Sequence, residues 1–151
     1  MASPEPVALS AALRTAGLRV TASRLAVLSA VAEGGHLTAD QVASDVRGRV
    51  GTISTQAVYD VLGALTRAGL TRRIEPAGSP ALYETRVGDN HHHVVCRACG
   101  AVRDVDCAAG EPPCVLPTDP GGFVIDEAEV TFWGLCPTCQ ATPIPDEKEG
   151  P

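Results

Sequence analysis

Apolar residues recur at helical spacing as far as Gly69 and then give way to short extended runs. Val7 to Ala16 is rich in helix formers and stops at Gly17. Thr21 is placed to cap a second helix with Leu25, Val27, Leu28 and Val31 on its inner side, ended by Gly34-Gly35. Thr38 is placed to cap a third, with Val42, Ala43 and Val46 on one face, and Gly48 and Gly51 punctuate the connection after it. Ser54 or Thr55 then caps a longer helix that turns Val58, Val61, Leu62 and Leu65 inward and closes at Gly69.

Leu70–Ile74 and Ala81–Thr85 read as two strands around the turn-rich segment 75–80, a hairpin with a longer loop. Short helices followed by a hairpin are the element order of a winged helix-turn-helix, in which the helix before the wing reads DNA. Residues 86–90 form a polar hinge with Gly88. Beyond it, His93–Arg97 and Ala101–Asp106 read as strands around a Cys-x-x-Cys-Gly turn. Pro112, Pro113, Pro117 and Pro120 exclude a long helix from Ala108–Gly122. Phe123–Ile125 and Glu129–Trp133 read as strands leading to a second Cys-x-x-Cys, and the proline-containing, charged segment 141–151 reads as a disordered tail. The pattern predicts an α+β fold: a winged helix-turn-helix domain (1–85) and a hinge (86–90), followed by a small α/β domain (91–140) that carries the four cysteines of two Cys-x-x-Cys pairs.

Net charge is −6, an unpromising value for a DNA binder, but it is unevenly distributed. Residues 1–75 hold 8 arginines against 6 acids, net +2; residues 76–151 hold 4 basic and 12 acidic residues, net −8. A mildly basic half joined to an acidic half with most of the His and all of the Cys suggests a DNA end and a metal end. No apolar run approaches the roughly 18 residues of a membrane span, and the first residues lack the basic-then-apolar order of a secretory signal. A cytoplasmic protein without a membrane partner is expected. In a reducing compartment its six cysteines are expected as metal ligands or redox thiols rather than structural disulfides.

The strongest chemical signal is Cys96-Arg97-Ala98-Cys99-Gly100 with Cys136-Pro137-Thr138-Cys139. Two residues between cysteines let both sulfurs turn onto one ion, and two such knuckles supply the four thiolates of a structural Zn(II) site. A thioredoxin-like redox pair is the competing reading, but it normally sits beside a βαβ pattern that is not seen here. Asn90-His91-His92-His93 precedes the first knuckle; on a strand, His91 and His93 share a face and His92 points away. With His36, Glu84 and Asp104, this pair offers imidazole and carboxylate donors suited to Fe(II), Mn(II), Ni(II) or Zn(II). No HExxH-type motif supports a metallohydrolase, so the chain is not expected to be an enzyme.

These motifs resemble the ferric uptake regulator (Fur) superfamily over roughly residues 9–139. The resemblance is carried by Gly17-Leu18-Arg19-Val20-Thr21 with Arg24, by Gln56-Ala57-Val58-Tyr59, and by Ala68-Gly69-Leu70. It continues through the His91-x-His93-x-x-Cys96-x-x-Cys99-Gly100 run and Trp133-Gly134-Leu135-Cys136-x-x-Cys139. It is closest to the family's actinobacterial, peroxide-responsive (PerR-like) branch, whose members often control catalase-peroxidase genes. The resemblance implies a homodimeric, metal-dependent repressor of palindromic A/T-rich operator DNA, with 1–85 as its DNA-binding domain and 91–140 as its zinc-stapled dimerisation and metal-sensing domain. It implies structural zinc on Cys96, Cys99, Cys136 and Cys139. It implies a regulatory Fe(II) or Mn(II) on His36, Glu84, His91, His93 and Asp104, where an aspartate at the last position is the peroxide-sensing type. Arg19 is implied in a minor groove, and Thr55, Gln56 and Tyr59 on the recognition helix. A zinc- or nickel-responsive uptake regulator of the same family is the alternative, and a thiol oxidoreductase a distant one. Three features depart from the family pattern. Asp60 replaces a basic residue, which suggests pairing with a nearby arginine. Asn90 and Ala128 stand where some members place further metal-binding histidines. Cys107 and Cys114 are extra, either ordinary small residues or an accessory redox pair.

Overall fold

The computed structural model describes residues 5–107 and 113–141. The chain divides into two compact units, one ending at Asp89 and the other beginning at Asn90.

The first unit is built on helices α1 (Pro6–Thr15), α2 (Ala22–Gly34), α3 (Ala39–Val50) and α4 (Thr55–Arg67). Caps set their starts. The Thr21 hydroxyl accepts from Arg24 N, and Ser54 rather than Thr55 takes the same role for α4, accepting from Ala57 N. At α3, Thr38 and Gln41 satisfy each other's backbone N–H groups in a capping box. Gly35, at φ +76°, ends α2 in a conformation that a side chain resists. Gly48 does not punctuate the chain as its residue type suggests, since α3 runs through it to Val50 and turns at Gly51. A lone glycine costs a helix only about 1 kcal/mol, less than Val42 and Val46 on its buried face return.

Those valines join Leu13, Val27, Val31, Val58, Leu62 and Leu65 in a fully buried core. Burial of each such side chain is worth about 1.5–3 kcal/mol. Strands β2 (Arg72–Ile74) and β3 (Leu82–Glu84) form the expected antiparallel hairpin. A further strand, β1 (Leu37–Thr38), pairs antiparallel with the other edge of β3, giving the order β1-β3-β2. Four helices carrying a small hairpin sheet make this unit a winged helix.

The second unit centres on β4 (His91–Cys96). It pairs antiparallel with β5 (Val102–Asp106) and parallel with β6 (Thr131–Gly134), and α5 (Pro137–Ala141) follows. β4 begins two residues earlier than expected, so all three consecutive histidines are strand residues. Phe123–Ile125 forms no strand, and Phe123 and Val124 are exposed. The segment alternates no buried face there, so nothing rewards its pairing. The last strand starts at Thr131 rather than Glu129. No helix occupies 113–122; residues 108–112 and the tail from 142 lie outside the described residues. Among the described residues no helix is long and apolar enough to cross a membrane.

Candidate functional site

The four cysteines of the two Cys-x-x-Cys pairs converge at one end of the β4·β6 pair. Ala101 O accepts from Cys96 N, and Gly100 N donates back to Cys96 O at 2.9 Å, closing the first knuckle with Gly100 at φ +75°. The parallel pairing sets Cys96 beside Gly134, and Arg97 N donates to Gly134 O at 2.8 Å, which delivers Cys136 to the same place. All four sulfurs lie within 4.8 Å of one another, and those of Cys99 and Cys136 are 3.7 Å apart. A tetrahedral ion with Zn–S bonds of about 2.3 Å needs sulfurs about 3.8 Å apart. The electrostatics also ask for a cation. The backbone N–H of Cys136 (3.4 Å), then that of Cys99, pull the Cys96 thiol down to about 6. The neighbouring sulfurs of Cys136 and Cys99 push Cys139 up to about 12. Four sulfurs this close cannot all ionise without a shared positive charge.

The five candidate regulatory ligands fall into two groups, one in each unit. In the first unit, Leu37 pairs with Tyr83, and one step further in the register His36 meets Glu84. Its Nε2 lies 3.1 Å from Glu84 Oε2, and the Glu84 side chain is buried. In the second unit, His93 pairs with Asp104 across β4 and β5. Asp104 Oδ1 is 3.5 Å from His93 Nε2 and 3.9 Å from His91 Nε2. The His91 and His93 rings stack edge to face at 4.9 Å on the same side of the strand. His92 points to the other side, where its ring meets Phe132 and its Nε2 lies 2.9 Å from Cys114 Sγ. Cys107 is brought to that same place. The alternation of β4 was the available signal for His92, but nothing in the sequence joined it to the two extra cysteines.

The expected DNA-reading residues lie on the first unit. Arg19 is exposed ahead of α2, where its carbonyl accepts from Arg24 Nη1 at 2.8 Å. On α4, Gln56, Tyr59 and Asp60 share the exposed side opposite Val58, Leu62 and Leu65, and Tyr59 is 46% exposed. Asp60 does not pair with an arginine as expected. It accepts from Gln56 Nε2 at 2.9 Å, one helical turn earlier. Thr55 is half-buried, and its hydroxyl accepts from Arg47 Nη2 at 2.9 Å, so Arg47 braces the start of α4. Sequence reasoning did not single out Arg47.

A winged helix with an exposed reading-helix face, a four-thiolate cluster and two sets of imidazole and carboxylate donors define a metal-responsive transcriptional regulator rather than an enzyme. The ferric uptake regulator family matches residues 15–111. The chain belongs to that family. It is 59% identical over 127 residues to the transcriptional regulator FurA of Mycobacterium tuberculosis, covering 84% of this chain and 86% of the relative. Its fold is that of the ferric uptake regulator of Pseudomonas aeruginosa solved with manganese, at TM-score 0.62 and 24% identity over 85% of this chain and 98% of that one. It is likewise that of a zinc uptake regulator in complex with zinc and DNA, at TM-score 0.64 and 19% identity over 90% and 93%.

Proposed function

We propose that this protein is a homodimeric repressor whose grip on palindromic, A/T-rich operator DNA is set by one divalent ion, Fe(II) or Mn(II), and released by peroxide. Oxidative-stress genes such as those of catalase-peroxidases are its expected targets. The observation that carries this reading is the division of the ligands. His36 and Glu84 converge in one unit, while His91, His93 and Asp104 converge in the other. Neither set alone fills the coordination sphere of such an ion, and both offer the nitrogen and oxygen donors it prefers. An ion held wholly within one unit has no reason to favour any arrangement of the two. An ion held by both does, and moving a population from 1:99 to 99:1 takes about 5.5 kcal/mol of differential binding.

Zinc on Cys96, Cys99, Cys136 and Cys139 would supply a redox-inert cross-link between the ends of β4 and β6. Exposed apolar side chains of the second unit, Val115, Leu116, Phe123, Val124 and Phe132, support pairing through residues 91–140. Arg19 would enter a narrow minor groove. Gln56 and Tyr59 would face base edges from α4, with Thr55 at its start. The complex of a zinc uptake regulator with DNA and the manganese-bound ferric uptake regulator support the partner and ion classes.

The sensing chemistry is proposed by analogy with the PerR-like members that the chain resembles. Fe(II) held there would supply metal-catalysed oxidation: a ring C–H of His36 or His91 would take up one oxygen of hydrogen peroxide as a hydroxyl, and the other oxygen would leave as water. The product ring is a poorer donor. Treating Fe(II)- and Mn(II)-loaded protein with peroxide tests this. Operator release and one added oxygen on the peptide bearing His36 or His91 are expected with iron and not with manganese. Iron-loaded protein that keeps its DNA in peroxide would overturn peroxide sensing and leave metal availability as the signal.

A further inference from the structure

His92, Cys107 and Cys114 form a second cluster of ligand atoms, all within 4.8 Å of one another. It shares no residue with the four-cysteine cluster or with the proposed regulatory set. His92 is buried on β4, Cys107 directly follows β5, and Cys114 is the second residue of the described segment beyond it. The histidine and Cys114 are 2.9 Å apart, Nε2 to Sγ, although 22 residues separate them. We infer that these three side chains form a further metal site, taking a borderline-soft divalent cation of the Zn(II) class.

Two observations point the same way. The donors are one imidazole nitrogen and two sulfurs, a set that zinc accepts while leaving a fourth position for water or another ligand. Strand alternation turns His92 away from His91 and His93, so the cluster does not compete with them for an ion. A bound cation would displace the thiol protons of Cys107 and Cys114. An ion there would tie the start of β4 to the chain just after β5, the strand that presents Asp104 to His93.

The test is cobalt substitution of the full-length protein, stripped and reloaded anaerobically with Co(II). Sulfur-to-cobalt charge-transfer absorption reports each thiolate-bound ion. The wild type is expected to bind one more such ion per chain than C107S, and than H92A, which keeps both thiols. The signal of the four-cysteine cluster persists in each variant and reports that the unit is folded. Equal cobalt stoichiometry and absorption in wild type and variants would overturn the site. So would a Cys107–Cys114 disulfide in protein prepared anaerobically with zinc.

Discussion

The sulfurs of Cys99 and Cys136 stand 3.7 Å apart, close to the edge of a zinc–thiolate tetrahedron, although they come from opposite ends of the second unit's sequence. The parallel pairing of β4 with β6 brings them there, and it is the kind of long-range pairing that loop-closure entropy opposes. Zinc binding to four-ligand sites is worth about 10–16 kcal/mol, comparable with the whole stability of a small domain. C136S is therefore expected to lose one zinc per chain and to unfold the sheet of the second unit. Trp133 on β6, with the Arg97 guanidinium 5.3 Å from its ring, is the reporter. Metal analysis and tryptophan fluorescence check this; a variant that keeps its full zinc content would contradict it.

Arg49 links α3 to α2 through Glu33, donating 2.9 Å hydrogen bonds to both carboxylate oxygens, and Ser29 adds a third at 2.6 Å. These partners, Arg49 first, lower Glu33 from 4.5 to about 2. A carboxylate whose folded pKa is depressed stabilises the fold above its unfolded value, and that contribution is lost as pH falls through the folded one. The stability difference between wild type and E33Q is expected to be constant above about pH 4.5 and to shrink towards pH 2. Because the pair is at the surface, added salt should reduce it. Denaturant titrations across that range measure it.

Val124 is 95% exposed and Phe123 77% exposed, an arrangement that a self-association surface explains. V124D is expected to weaken the proposed dimer by about 1–3 kcal/mol, the cost of placing an unpaired polar group in an apolar contact. Sedimentation against concentration reads this directly. An unchanged dimer would place the interface elsewhere.

If Tyr59 reads a base, Y59A should weaken operator binding by about 1–3 kcal/mol and relax the preference at one position. R19A should weaken binding to the A/T-rich operator more than to scrambled G/C-rich DNA, and the lost charge should reduce the salt slope by about one. Affinities for operator and scrambled DNA at several salt concentrations separate the two effects.

The helices of the first unit were legible because their cores and caps are local: Val58, Leu62 and Leu65 fall on one face, and Thr21, Thr38 and Ser54 sit where caps must. The winged-helix order and the four-cysteine cluster followed from spacing alone. Strand β1 was not legible, since two residues carry no alternation and Thr38 already serves as a cap. The edge partner of β3 is decided by tertiary pairing, and that pairing brings His36 to Glu84. Phe123–Ile125 looked like a strand because apolar and β-branched residues dominate it, but no neighbouring strand rewards the pattern. Cys107 and Cys114 looked incidental because their partner, His92, is supplied by a fold-level juxtaposition rather than by spacing.

The central claim is that one divalent ion, held by donors from both units, governs DNA binding. Its most direct test is operator affinity of zinc-intact protein measured against free Mn(II), for wild type and for H36A. Tightening of about 5–150-fold, the usual range of coupling between sites, is expected for the wild type as manganese saturates, and none for H36A. Wild-type affinity that is the same with and without manganese would contradict the account.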